Sequence, residues 1–130
     1  CRYGLAIAVN QPTVLMIDDC SEILESFAEI LGMDGFSVIN ANGGEQGVEL
    51  FKSCRKGIDL VVSEVGLALN SGDSAIHEIR RIDKNMPVLF ITGYDAREVS
   101  RQIGVFENYY LLHKPFPPKY LGENIRAIIA

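Results

Sequence analysis

Six side chains stand where an apolar run gives way to polar sequence, and each could take part in ionic chemistry or hydrogen bonding. Asp18 and Asp19 follow Thr13-Val14-Leu15-Met16-Ile17, Asn40 follows Phe36-Ser37-Val38-Ile39, and Glu64 closes Ile58-Asp59-Leu60-Val61-Val62-Ser63. Thr92 closes Val88-Leu89-Phe90-Ile91, and Lys114 comes shortly after Tyr109-Tyr110-Leu111-Leu112. Adjacent carboxylates suit a hard divalent cation, because Mg²⁺ takes one or two carboxylates and keeps several waters. The same pair can instead cap a following helix through its free N–H groups. By itself the pair leaves both readings open. Lys114-Pro115 adds an ammonium group beside a proline able to adopt the cis form.

The elements that must position these groups are read from apolar periodicity. Ile23, Phe27, Ile30 and Leu31 fall on one face of a helix that begins at Ser21 and breaks at Gly35. Val48 and Phe51 mark a second helix over 45–54, and Ala75, Ile76, Ile79 and Ile82 a third over 71–81. A polar helix is predicted over 95–102. Pro117 and Pro118 start a last one, with Leu121, Ile125 and Ile128 as its buried face. The runs between these helices lack polar alternation, so they read as strands covered on both faces. Five strands alternating with five helices give an α/β domain of three layers. In such domains chemistry gathers beyond the carboxyl ends of the strands, where the six side chains stand.

Size and charge narrow the function. The chain has 130 residues, enough for one domain with a core of its own. Residues 12–130 form that domain, and 1–11 read as an N-terminal extension or linker, with an apolar stretch too short for a signal peptide. Seventeen acidic residues against 12 basic give a net charge of −5, which argues against nucleic-acid binding. No apolar run has the roughly 18 residues of a membrane span. Cys1, Cys20 and Cys54 lack disulfide-framework or zinc spacing, and reduced thiols in a cytoplasmic protein are expected. His77 and His113 are lone histidines, with no metal role expected.

The motifs taken together resemble the receiver domain of bacterial response regulators and hybrid histidine kinases, over roughly residues 12–129. The resemblance is carried by Val14-Leu15-Met16-Ile17-Asp18-Asp19, Asp59-Leu60-Val61-Val62-Ser63-Glu64, Ser71-Gly72, Pro87 through Tyr94, and Lys114-Pro115-Phe116, in that order. It implies a doubly wound, flavodoxin-like parallel sheet in the order 2-1-3-4-5, an order that general accounts of the fold use as an example. It implies further that Asp18, Asp19 and the backbone carbonyl of Gly66 bind Mg²⁺. Thr92 would hydrogen-bond a phosphoryl group, and Lys114 would contact both the acceptor carboxylate and the phosphoryl oxygens; the transfer needs positioning and neutralised charge more than covalent help.

Three positions depart from the family's pattern. The phosphate-accepting position carries Glu64 in place of aspartate, Ala68 replaces a common proline, and Leu111 stands where an aromatic switch residue is usual. Tyr110, one residue earlier, points to the other strand face. The expectation is a two-component signalling domain, not an enzyme, that works without phosphorylation. Glu64 either imitates the phosphorylated state or pairs with Lys114 in a plain docking module. A phosphorylatable receiver with a non-standard acceptor, Ser63 or Asp59, is the alternative. A Mg²⁺-dependent phosphatase of the haloacid dehalogenase kind fares worse, because Cys20 stands where its second aspartate belongs. Weak Mg²⁺ binding through Asp18 and Asp19 is expected. Protein partners are expected too, a histidine kinase or effector domains, reached through the fourth helix, fifth strand and fifth helix, near Phe106, Tyr109, Tyr110 and Tyr120.

Overall fold

A computed structural model describes residues 11–65, 74–103 and 106–130, the Arg55 side chain excepted. Gly66, Ala68 and Ser71-Gly72 therefore lie outside the described residues, as does all of the expected extension except Gln11. The elements alternate in chain order: β1 (Thr13–Asp18), α1 (Ser21–Met33), β2 (Ser37–Asn42), α2 (Gly44–Cys54), β3 (Leu60–Glu64), α3 (Ala75–Ile82), β4 (Val88–Thr92), α4 (Ala96–Ile103), β5 (Tyr110–His113) and α5 (Pro118–Ile129). The strands form one parallel sheet in the order β2-β1-β3-β4-β5. This is the expected doubly wound, flavodoxin-like architecture.

Side-chain alternation along the strands splits the core into two halves. Leu15, Ile17, Val61 and Phe90 pack with Phe51, Ile76, Ile79 and Val99 on the side of α2, α3 and α4. Val14, Met16, Leu60, Val62 and Ile91 pack with Leu24, Leu31, Leu121 and Ile125 on the side of α1 and α5. Each fully buried Leu, Ile or Phe contributes about 1.5–3 kcal/mol of transfer free energy. The helices are thereby clamped to the strands on both faces. On the second side, Arg126 of α5 pairs with Asp34 just beyond α1 (Nη2–Oδ1 3.0 Å) and lies over the Phe36 ring.

Several boundaries differ from expectation. β2 continues to Asn42, so Asn40 lies inside the strand: pairing with β1 runs on through Met16↔Asn40 to Asp18↔Asn42. α3 starts at Ala75, because Ser74 holds an extended backbone and its Oγ accepts from the His77 N–H at 3.3 Å. Cys54 corrects the expectation of reduced thiols, being disulfide-bonded, while Cys20 is free. Phe106 is buried and Tyr109 packs against the core, whereas Tyr110 and Tyr120 are exposed. Among the described residues no helix is long and apolar enough to cross a membrane.

Gly47 sits where α2 presses closest on β1. A Cβ built there meets Ile17 Cδ1 at 2.6 Å and Cγ1 at 2.9 Å, and Ile17 is itself fully buried. Gly47→Ala is therefore expected to lower stability by about 1–3 kcal/mol through overpacking. A lower urea midpoint at unchanged slope would register it, and an unmoved midpoint would show that α2 can shift freely.

Candidate functional site

Three of the sequence-predicted groups meet at the carboxyl edge of the sheet. Asp18 is the last residue of β1 and is buried, with 7% exposure. Its Oδ1 accepts from the Cys20 N–H at 2.9 Å, bending the chain ahead of α1. That contact decides part of the question left open by the sequence: Cys20, not Asp18, is the N-cap of α1, and it makes no side-chain cap. The Asp18 carbonyl accepts from Gly43 N–H at 2.9 Å, and Gly43 takes a φ of 99°, a left-handed geometry that glycine adopts without steric cost. Asp19, next in the chain, is exposed.

Glu64 ends β3 in register with Ile91 of β4. Lys114 follows β5, and its backbone N–H donates to the Thr92 carbonyl at 2.8 Å, which fixes where its side chain starts. The Lys114-Pro115 peptide is cis. From there Lys114 Nζ reaches back over β4 to donate to Glu64 Oε2 at 2.9 Å. Asp18, Glu64 and Lys114 line one small cavity over Met16, Val62 and Phe27. Its free volume of about 10 Å³ holds about one water.

The remaining predicted residues do not line the cavity, except Ser63. Thr92 is 1% exposed, is not among the residues lining the cavity, and accepts from Tyr94 N–H at 2.9 Å through Oγ1. Leu111 is half-buried against the α2–α4 side of the core, beside Phe90 in register. Asp59 sits at the opposite end of β3, where its Oδ2 accepts from Thr13 N–H at 2.8 Å and its own N–H donates to Thr13. Ser63 is buried with 1% exposure. Sequence reasoning placed Phe27 on the buried stripe of α1 without assigning it to this site. It stacks on Phe116 with ring centroids 6.3 Å apart and walls the cavity.

The site holds more negative charge than it neutralises. Burial pushes the Asp18 carboxyl above its ordinary value of 3.8, opposed by the Cys20 N–H; Glu64 and Asp19 push it further up, and Lys114 pulls it down. A hard cation would relieve that repulsion, and the oxygen donors Asp18 and Asp19 suit Mg²⁺. Among the described residues, no cluster of three or more acidic, His or Cys side chains is arranged to hold a metal. The donor set fits the ion through two carboxylates only.

The raised Asp18 pKa has a defined sign. Between the ordinary carboxylate value and the raised one, the folded chain holds more protons than the unfolded chain, so stability falls as pH rises through that window. Asp18→Asn keeps an acceptor for Cys20 and removes the charge. It is expected to raise the urea midpoint at pH 7, with a difference that shrinks toward pH 3.8. A midpoint at pH 7 equal to or below that of the parent chain would contradict this.

Comparison with known proteins agrees with this geometry. The family model described as "Response regulator receiver domain" matches residues 14–126. The chemotaxis protein CheY of Treponema pallidum is 27% identical over 117 residues, covering 89% of this chain and 81% of that protein. The transcriptional regulatory protein CpxR of Escherichia coli K12 is 32% identical over 119 residues, but this chain spans only 48% of its length. Among solved structures, a receiver domain protein of Clostridium thermocellum superposes with a TM-score of 0.75 at 28% identity, covering 91% of this chain and 94% of that one. The chain belongs to the response regulator receiver domain family, a family of two-component signalling domains rather than enzymes.

Proposed function

We propose that this receiver domain signals through protein–protein contacts without being phosphorylated, because Glu64, one methylene longer than aspartate, occupies the acceptor position. The observation that carries the reading is the 2.9 Å contact between Lys114 Nζ and Glu64 Oε2. That contact fixes the Glu64 carboxylate beside Asp18 and Lys114, in the pocket where the resemblance puts the acceptor. The extra methylene of glutamate shifts the carboxylate by about 1.5 Å. A displacement of about 1 Å can cost on the order of a hundredfold in rate. In-line attack on a phosphodonor is correspondingly disabled.

Of the two roles for Glu64, docking has the better support. A phosphate mimic would need to hold both Thr92 and Lys114, because a fixed charge biases a switch only through contacts that differ between its states. Glu64 hydrogen-bonds Lys114 and not Thr92, whose hydroxyl accepts from the Tyr94 N–H. A carboxylate also carries about one charge against the phosphate's 1.5–2. Relocated chemistry has less support: Ser63 is buried and Asp59 is tied to Thr13 at the far end of the strand. The domain works in the cytoplasm, docking on a histidine kinase or on effector domains. Exposed Tyr110 and Tyr120 belong to the face formed by α4, β5 and α5. Mg²⁺ would be held weakly by Asp18 and Asp19 and would supply only neutralisation of their charge.

Two experiments test this reading. Glu64→Asp should gain the mass of one phosphoryl group when treated with a small phosphodonor and Mg²⁺, since it shortens the acceptor to the family's length. A Glu64→Asp chain that stays unmodified would mean that the rest of the pocket has been lost as well. In calorimetry, Asp19→Ala should weaken Mg²⁺ binding, and an unchanged affinity would remove Asp19 from the ion's donors.

A further inference from the structure

Of the residues that line the cavity beside the Glu64–Lys114 pair, a single one comes from a helix. Lys114 follows β5, Phe27 stands in the middle of α1, and the others all belong to β1, β3 or β4. The strand residues are fixed by the sheet. The Phe27 wall is fixed only by what its ring packs against, and in a cavity of about 10 Å³ its loss would change the surroundings of the ion pair.

That ring is half-buried and stacks on Phe116, with centroids 6.3 Å and planes 11° apart, the offset arrangement that aromatic pairs favour. Phe116 comes two residues after Lys114 in the chain, and both rings pack against the core on the side of α1 and α5. Lys114 is therefore held on either side of its own Cα. Its backbone N–H is tied to the Thr92 carbonyl at 2.8 Å, and just beyond it the chain is tied through Phe116 to α1. Such anchoring matters for a lysine. Its long stem has much rotamer freedom, and a side chain 38% exposed has water as a competing partner for its ammonium group. Fixing the root of the stem and walling one side of the cavity favours Glu64 over water.

We propose, on the basis of the ion pair in the preceding reading and independently of phosphorylation, that Phe27 is a positioning residue of this site: stacked on Phe116 and walling the cavity, it holds Lys114 Nζ on Glu64. Leu24 supplies the contrast. It lies on the same helix, is 3% exposed and packs in the same half of the core, yet it does not line the cavity. A residue that served α1 only as packing would behave as Leu24 does.

The test is pulse acetylation of the whole chain with acetic anhydride, read by peptide mass spectrometry as the rate at Lys114 relative to exposed Lys119. Glu64→Gln sets the ratio for a lysine without its ionic partner. Phe27→Ala is expected to raise the ratio roughly threefold or more toward that value, as the loss of one aromatic pair would. Phe116→Leu, which removes the other ring but keeps apolar bulk, should do the same, and Phe27→Tyr, which keeps the stack, should leave the ratio at the parent value. Leu24→Ala should lower the urea midpoint and leave the ratio unchanged. If Glu64→Gln raises the ratio while Phe27→Ala and Phe116→Leu do not, or if Leu24→Ala raises it equally, the proposal is overturned and the ion pair stands. A ratio unmoved by Glu64→Gln would remove the ion pair, and the role of Phe27 with it.

Discussion

One ion pair defines this receiver: Lys114 Nζ on Glu64 Oε2 at 2.9 Å, joining the end of the central strand β3 to the chain leaving the edge strand β5. Its side chains are 38% and 33% exposed, so as a source of stability it contributes about 0–1 kcal/mol. Its weight is geometric. The contact exists because β4 pairs with both neighbours, with Glu64 beside Ile91 and His113 beside Thr92. A slip of one residue in either pairing would turn one partner to the other face of the sheet. The two buried halves of the core hold that register, and the polar edge is a consequence of it.

Around that pair the receiver framework is kept, with Glu64 at the end of β3. Asp18 is buried in the turn before α1, with its carboxyl pushed up by burial and by Glu64 and Asp19. An aspartate in such a place is costly to keep charged, and a bound cation or a nearby ammonium is what compensates. Lys114 cannot fully serve Asp18 and Glu64 at once, and its hydrogen bond goes to Glu64. The pocket's ammonium group is thus hydrogen-bonded to Glu64 and not to Asp18. Thr92, fixed by Tyr94 N–H, takes no part in the pair.

Much of the fold was legible in residue order. Strands such as Val88–Thr92 are apolar at nearly every position, which marks a sheet covered on both sides, and the polar groups that close them mark its carboxyl edge. What escaped was set by tertiary partners. Asn40 looked like a strand end because the apolar run stops before it, yet backbone pairing with β1 carries β2 on to Asn42. Thr92 stands at the right strand end, but its hydroxyl direction depends on the turn to Tyr94, which periodicity does not encode. The Phe27–Phe116 stack gave no signal at all, since its rings come from α1 and from the chain after β5. The Glu64–Lys114 contact, by contrast, was foreseeable from the family's motif order as one of two arrangements.

The most direct test is intact-mass measurement of the unaltered chain after incubation with Mg²⁺ and a small phosphodonor. The account predicts no phosphoryl adduct on a time scale that modifies an ordinary receiver run in parallel. A stoichiometric adduct on the unaltered chain, at Glu64 or at any other residue, would contradict it.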